Sequence, residues 1–89
     1  MKIKEGFVIE KVGASYLAVA TGKIADEFHA LVRVNSTGAF LWNKLSEKSC
    51  TEEELLSLML DEYEVAEDVA RRDISMFVKS LSEAGILDD

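Results

Sequence analysis

Few side chains in this sequence are suited to catalysis or metal binding. His29 is the only histidine and Cys50 the only cysteine among the 89 residues, and the five glycines are scattered. Nucleophilic catalysis needs a nucleophile, a base and an orienting group in contact, and a structural zinc site needs about four ligands. A histidine in a predicted loop and a cysteine between two predicted helices supply neither. We therefore predict no catalytic residues, no metal site, no phosphate-binding loop and no cofactor.

Charge is divided unevenly along the chain. Residues 1–46 carry six basic and four acidic side chains, whereas residues 47–89 carry four basic and thirteen acidic ones. The resulting net charge of −7 repels a phosphate backbone, so we expect no nucleic-acid partner. The chain has no apolar run near the roughly 20 residues of a membrane helix and no signal peptide. We therefore expect a cytoplasmic protein with no membrane association.

The length predicts a single domain over residues 1–89, because two cores would each bury too little surface. Residues 7–12 are rich in β-branched side chains and are followed by the turn signal Gly13-Ala14. Residues 15–20 then return as the antiparallel partner of a hairpin. Residues 31–34 predict a third, short strand.

Helical patterns begin directly after the third strand. Asn35 or Ser36 caps the first helix, and Gly38 within this helix predicts its close approach to another backbone. Phe40 points away from the predicted buried face, so it either covers a strand or forms an exposed apolar contact. Residues 51–54, Thr-Glu-Glu-Glu, form a capping box that starts a second helix.

The third helix is predicted over residues 67–84. Ala66 stands where a capping serine or aspartate is expected, so the start of this helix is weakly specified. Gly85 suits a left-handed terminator, after which Ile86 and Leu87 fold back as an apolar clasp. The order of elements predicts an α+β fold that is winged-helix-like, with a three-stranded antiparallel sheet followed by three helices.

The third strand is the main candidate for a binding surface. A short strand that leads into a helix often lies at the edge of its sheet, and an exposed edge is a template for an added strand. In that case proline at Val32 or Arg33 would abolish peptide binding. The alternative is that residues 31–34 form an inner strand, or that a second copy of the chain covers the edge in a homodimer.

The third helix supplies a second candidate surface. Val69, Asp73, Met76 and Ser80 form a flank beside its core stripe, and a methionine adapts its shape to varied ligands. The flank either lines a peptide groove or packs against the sheet.

Three segments of the chain resemble the PqqD family. Residues 35–45, NSTGAFLWNKL, are similar to its Asn-x-Thr-Gly-x-x-aliphatic-Trp-x-x-Leu signature. The opening of the second helix, TEEEL over residues 51–55, fits the same pattern. The third segment is the end of the chain, with Asp73, Ile74, Phe77-Val78, Leu81 and Gly85-Ile86-Leu87.

This resemblance implies a recognition element for ribosomally synthesised, post-translationally modified peptides. Such domains bind the leader of a precursor as an extra strand beside the third strand, in a groove that the third helix closes. They present the leader to a maturase, often a radical-SAM enzyme, and they carry no catalytic residues. Synthesis of pyrroloquinoline quinone is one such pathway among several. On this sequence the groove would consist of Leu31, Val32, Arg33, Val34, Asp73, Met76, Phe77 and Ser80.

Two other classes of function are compatible with the element order or the composition. A winged-helix DNA-binding regulator needs a basic recognition helix, but residues 67–84 carry three basic and four acidic side chains. An enzyme acting alone would have to rely on His29 and Cys50. We rank the leader-binding module above both.

Overall fold

The computed structural model describes residues 1–21 and 32–88, so Leu31 and His29 lie outside the described residues. The elements are β1 (Lys2–Ile3), β2 (Phe7–Val12), β3 (Ser15–Ala20), β4 (Val32–Val34), α1 (Ser36–Glu47), α2 (Glu52–Glu62), α3 (Glu67–Glu83) and β5 (Leu87–Asp88). Strands β2, β3 and β4 form one antiparallel sheet in that order. This arrangement confirms the predicted α+β class with a three-stranded sheet followed by three helices. No helix in the described ranges is both long enough and apolar enough to span a membrane.

The hairpin forms where the sequence predicts it. Gly13 has a φ of 62°, and no residue other than glycine has a positive φ in the part described. A glycine at the first central position with a negative φ after it is typical of a type II′ turn, which suits the twist of a two-residue hairpin. Val12 and Ser15 flank this turn as a pair.

A second, two-stranded sheet was not predicted. Lys2 pairs with Asp88 and Ile3 with Leu87, so β1 and β5 join the two ends of the described chain. Gly85 has a φ of 75°, as expected of a left-handed helix terminator, and the Ile86 that follows is fully buried. Strands of two residues are too short to show an alternation of apolar and polar side chains. The sequence could therefore predict only that Ile86 and Leu87 fold back.

Side-chain caps fix the starts of α1 and α2. Asn35 is the cap of α1, because its Oδ1 accepts the Gly38 N–H at 2.7 Å. In the capping box of α2, Glu54 Oε1 accepts the Thr51 N–H at 3.0 Å and Thr51 Oγ1 accepts the Glu54 N–H at 3.1 Å. The first of these bonds lowers the pKa of the Glu54 carboxyl. Phe40 is half-buried, and its ring meets the Tyr63 ring edge-on with centroids 5.5 Å apart.

The core lies between the helices and one face of the sheet. Its largest buried side chains come from all three helices and from the segment after α3: Leu41, Trp42, Leu45, Leu55, Ile74, Leu81 and Ile86. Cys50 is also fully buried, and its N–H donates to the Met1 oxygen at 2.8 Å. The thiol of Cys50 therefore belongs to the core cluster and not to the surface.

Serine at position 66 is expected to stabilise the protein. Ala66 occupies the cap position of α3 with extended backbone, φ −67° and ψ 144°, and makes no side-chain cap hydrogen bond. Ala66→Ser supplies an acceptor for an orphan N–H and should raise the free energy of unfolding by about 1 kcal/mol. Urea denaturation measures this gain, with Thr51→Ala as the reciprocal control that loses a similar amount. An unchanged midpoint for Ala66→Ser, beside a lowered one for Thr51→Ala, would contradict it.

Candidate functional site

A groove of about 240 Å³ lies between β4 and α3. Its first wall is β4, its second wall is α3, and the start of α1 closes it from below. The lining residues are Val32, Arg33, Val34, Asn35, Thr37, Gly38, Leu41, Asp73, Met76, Phe77, Ser80 and Leu81. We call this space the β4–α3 groove.

The β4–α3 groove contains most of the residues predicted from the sequence. Seven of the eight predicted binding residues line it: Val32, Arg33, Val34, Asp73, Met76, Phe77 and Ser80. Leu31, the eighth, lies outside the described residues. The structure therefore brings the strand and helix candidates together, and that they contact a peptide stays a prediction.

Sequence reasoning missed the bottom of the groove. Leu41 of α1 and Leu81 of α3 line it, as do Asn35, Thr37 and Gly38 at the start of α1. Leucines at helical spacing indicate only a buried face, and a cap residue indicates only a helix start. The one available signal was Gly38, for which the sequence predicted close approach to another backbone. The atoms nearest to this position belong instead to the side chains of Val34, Asn35 and Phe77, so the contact of α1 is with side chains of the sheet and of α3.

Gly38 permits that contact. A Cβ atom at position 38 would lie 2.5 Å from Val34 Cγ1 and 3.4 Å from Phe77 Cδ1, one on each wall of the groove. The first distance is far inside van der Waals contact, so only glycine allows α1 to approach β4 this closely. The absence of a side chain at this position therefore sets the separation of β4, α1 and α3 at the groove.

The most deeply buried residues of the groove are apolar, and its exposed rim carries both polar and apolar side chains. Val34 and Leu81 are 3 % and 0 % exposed, whereas Met76 on the rim is 62 % exposed. Asp73 and Ser80 are exposed on the same helix. A narrow apolar bottom with a few polar groups above it is the usual composition of a ligand site.

The outer edge of β4 is open in the part of the chain that the structure describes, since its only ladder partner there is β3. Along an antiparallel strand, the backbone N–H and C=O groups of successive residues point alternately to the neighbouring strand on one side and to the other side. Because the Thr21 N–H donates to the Gly6 oxygen at 2.7 Å, Gly6 and Thr21 form a hydrogen-bonded pair. From there toward the turn, every second pair of residues between β2 and β3 is also hydrogen-bonded, and the pairs in between are not. The intervening residues Tyr16 and Ala18 therefore direct their backbone groups toward β4.

This alternation separates the three residues of β4. Tyr16 pairs with Val34 and Ala18 with Val32, so Val32 and Val34 direct their backbone groups to β3. Arg33 lies between them and directs its N–H and C=O toward the open edge. One donor and one acceptor of β4 thus face the space where another strand would lie.

The charged residues of the groove have no ionic partner among residues 1–21 and 32–88. Within the described ranges, neither Arg33 nor Asp73 forms an ion pair. The ion pairs found there join Arg71 to Glu53 at 2.6 Å and to Glu67 at 3.1 Å, away from the groove. The hydrogen bond with Arg71 lowers the pKa of the Glu53 carboxyl.

Two solved structures are similar to this chain. TbiB1 in complex with the TbiA(beta) leader peptide is 20 % identical, with a TM-score of 0.72 over 99 % of this chain and 95 % of that one. Lasso peptide synthetase B1 complexed with the leader peptide is 21 % identical, with a TM-score of 0.67 over 96 % and 93 %. At these identities the likeness establishes a shared fold. No curated protein matches the chain significantly.

The sequence also matches a family model, that of coenzyme PQQ synthesis protein D (PqqD). The match covers residues 15–87, from the first residue of β3 into β5. It therefore includes both walls of the β4–α3 groove and the glycine that sets their separation. The chain belongs to the PqqD family.

Proposed function

We propose that this protein is a single peptide-recognition domain that binds the leader of a ribosomally made precursor peptide and presents it to a modifying enzyme. The observation that carries the proposal is the edge of β4, which pairs with no described residue on the side away from β3 and lies directly beside an apolar groove. An extended peptide that pairs with an open edge gains backbone hydrogen bonds, and an adjoining groove gives selectivity through its side chains. Both similar structures are complexes with leader peptides, which supports this use of the fold.

The protein's own contribution in this proposal is binding, without catalysis. The modifying enzyme would be a radical-SAM maturase or another maturase, and the product pyrroloquinoline quinone or another modified peptide. Ordering a flexible leader offsets much of the gain from pairing, so a dissociation constant of about 1 µM, or −8 kcal/mol, is expected. Such affinity raises the local substrate concentration at a bound enzyme.

DNA binding is disfavoured by charge. Helix α3 has more acidic than basic side chains, and Arg71, one of its few basic residues, is held by Glu53 and Glu67. A recognition helix needs free cations to replace the counterions of the phosphate backbone.

The proposal is tested with fluorescein-labelled synthetic peptides that cover the leaders of short precursors encoded beside the gene. Fluorescence anisotropy should show saturable binding near 1 µM for one leader, while a labelled random-sequence DNA duplex should not bind at physiological salt. Binding to the duplex and to no leader would overturn the proposal. A stable dimer that blocks all peptide binding would assign the edge of β4 to a second copy of the chain.

Arginine at position 80 should obstruct the groove from its rim. Ser80 lines the groove on α3 and is exposed, so Ser80→Arg places a long charged side chain over the apolar bottom without disturbing the core. We expect about tenfold weaker leader binding, or a loss of about 1.4 kcal/mol, in the same anisotropy assay. Ser75→Arg is the matched control, because Ser75 is exposed on α3 but does not line the groove. Equal affinities for the two variants would place the peptide elsewhere.

A further inference from the structure

The side chain and the backbone of Arg33 face different directions. Paired residues of neighbouring strands share a face of the sheet. Val34 is paired with Tyr16 and Val32 with Ala18, and the burial of Val34 and Ala18 marks this as the core face. Arg33 therefore lies on the outer face and is exposed, while its N–H and C=O point along the sheet to the open edge.

This geometry determines on which face of the sheet each side chain of an added strand would lie. The guest residue opposite Arg33 places its side chain on the outer face, with Cβ atoms about 5 Å apart, whether the guest runs parallel or antiparallel. Its two neighbours lie opposite Val32 and Val34 and point inward. There they meet the bottom of the groove and the Phe77 ring on α3.

The charges on the two sides differ in sign. On the outer face stands Arg33, a guanidinium that makes no ion pair with any residue described. On the inner side lies Asp73, which likewise makes no ion pair within the described ranges, and the buried Leu41 and Leu81 line the same groove. An acidic guest side chain is attracted on the outer face, and on the inner side it would meet a like charge and an apolar surface.

We infer that the recognised leader contains an apolar–acidic–apolar segment whose acidic residue lies opposite Arg33. The inference rests on the proposed function and adds the chemical class of the ligand to it. Opposite charges on directly paired residues favour the pair, and like charges oppose it. Reversing the charge at position 33 should therefore change the preferred guest residue opposite it from acidic to basic.

The test uses a displayed library of random twelve-residue peptides, selected in parallel on the wild-type protein and on Arg33→Glu. The wild-type pool should be enriched in apolar–Asp/Glu–apolar triplets, and the Arg33→Glu pool in apolar–Lys/Arg–apolar triplets. A selected peptide is then synthesised with Glu or Lys at the central position. Its affinity for the two proteins should differ about threefold or more, in opposite directions.

Lys11→Glu is the matched control. It makes the same change of charge at an exposed residue of β2, on the far side of β3 from β4, and should keep the wild-type preference. If both selections enrich peptides with no charge preference at any position, the inference is wrong and the proposed function stands. If neither protein enriches any peptide while both remain folded by circular dichroism, the proposed function itself fails.

Discussion

Replacing Arg33 by proline is expected to weaken leader binding by about 100-fold or more while leaving the protein folded. The Arg33 N–H is the backbone donor of β4 that faces the open edge, whereas Val32 and Val34 direct theirs to β3. Proline removes this donor and puts its ring where the guest backbone would approach. An unsatisfied guest carbonyl costs about 1–3 kcal/mol, and the ring adds a steric penalty. Anisotropy with the labelled leader measures the loss.

A proline on the opposite edge of the sheet controls for damage to the strand. Lys11 pairs with Tyr16 outside the hydrogen-bonded series, so its N–H also points away from β3. Lys11→Pro should fold and bind the leader like the wild type. Val32→Pro is a poor test, because it removes a donor that holds β4 to β3 and should disrupt the sheet. Wild-type affinity in a folded Arg33→Pro variant would rule out strand addition at β4.

Valine at position 38 is expected to lower the free energy of unfolding by about 3 kcal/mol. The new Cβ would start 2.5 Å from Val34 Cγ1, and overpacking of this kind typically costs about 1–3 kcal/mol. The two added methyl groups place this change at the upper end. Replacing glycine within a helix regains only about 0.4 kcal/mol of helix propensity, so the clash dominates. Urea denaturation measures the change.

The same substitution on the exposed side of α1 is the control. Asn43 is exposed, and Asn43→Val should change the free energy of unfolding by less than about 0.5 kcal/mol. Because the clash also pushes Val34 and Phe77 apart, Gly38→Val should weaken leader binding at protein concentrations where it remains folded. A Gly38→Val protein as stable as Asn43→Val would mean that α1 does not approach β4 closely.

The features that could be predicted from sequence are those encoded by neighbouring residues. The Gly13-Ala14 turn, the capping box at Thr51 and the termination at Gly85 each depend on a few consecutive side chains. The Asn35 cap does as well, and the sequence left only two candidates for it. The positions of the groove residues on α3 followed from helical spacing and from the family resemblance together.

The remaining features depend on residues that are distant in sequence. The pairing of β1 with β5 joins residues from opposite ends of the described chain, and each strand is too short to have a pattern. The direction of the Arg33 backbone depends on the register of three strands, which no single segment encodes. The full burial of Cys50 depends on its contact with the N-terminal segment.

The two sides of helix α3 have different surroundings, one in the core and the other along the β4–α3 groove. Ala70 and Ile74 are buried against the rest of the protein, while Asp73, Met76 and Ser80 are exposed along the groove. Under the proposed function, substitutions on the exposed side should change the recognised peptide at little thermodynamic cost, because they leave the buried side intact. Under the same proposal, randomising these three positions is expected to give binders of different specificity that keep the stability of the parent protein.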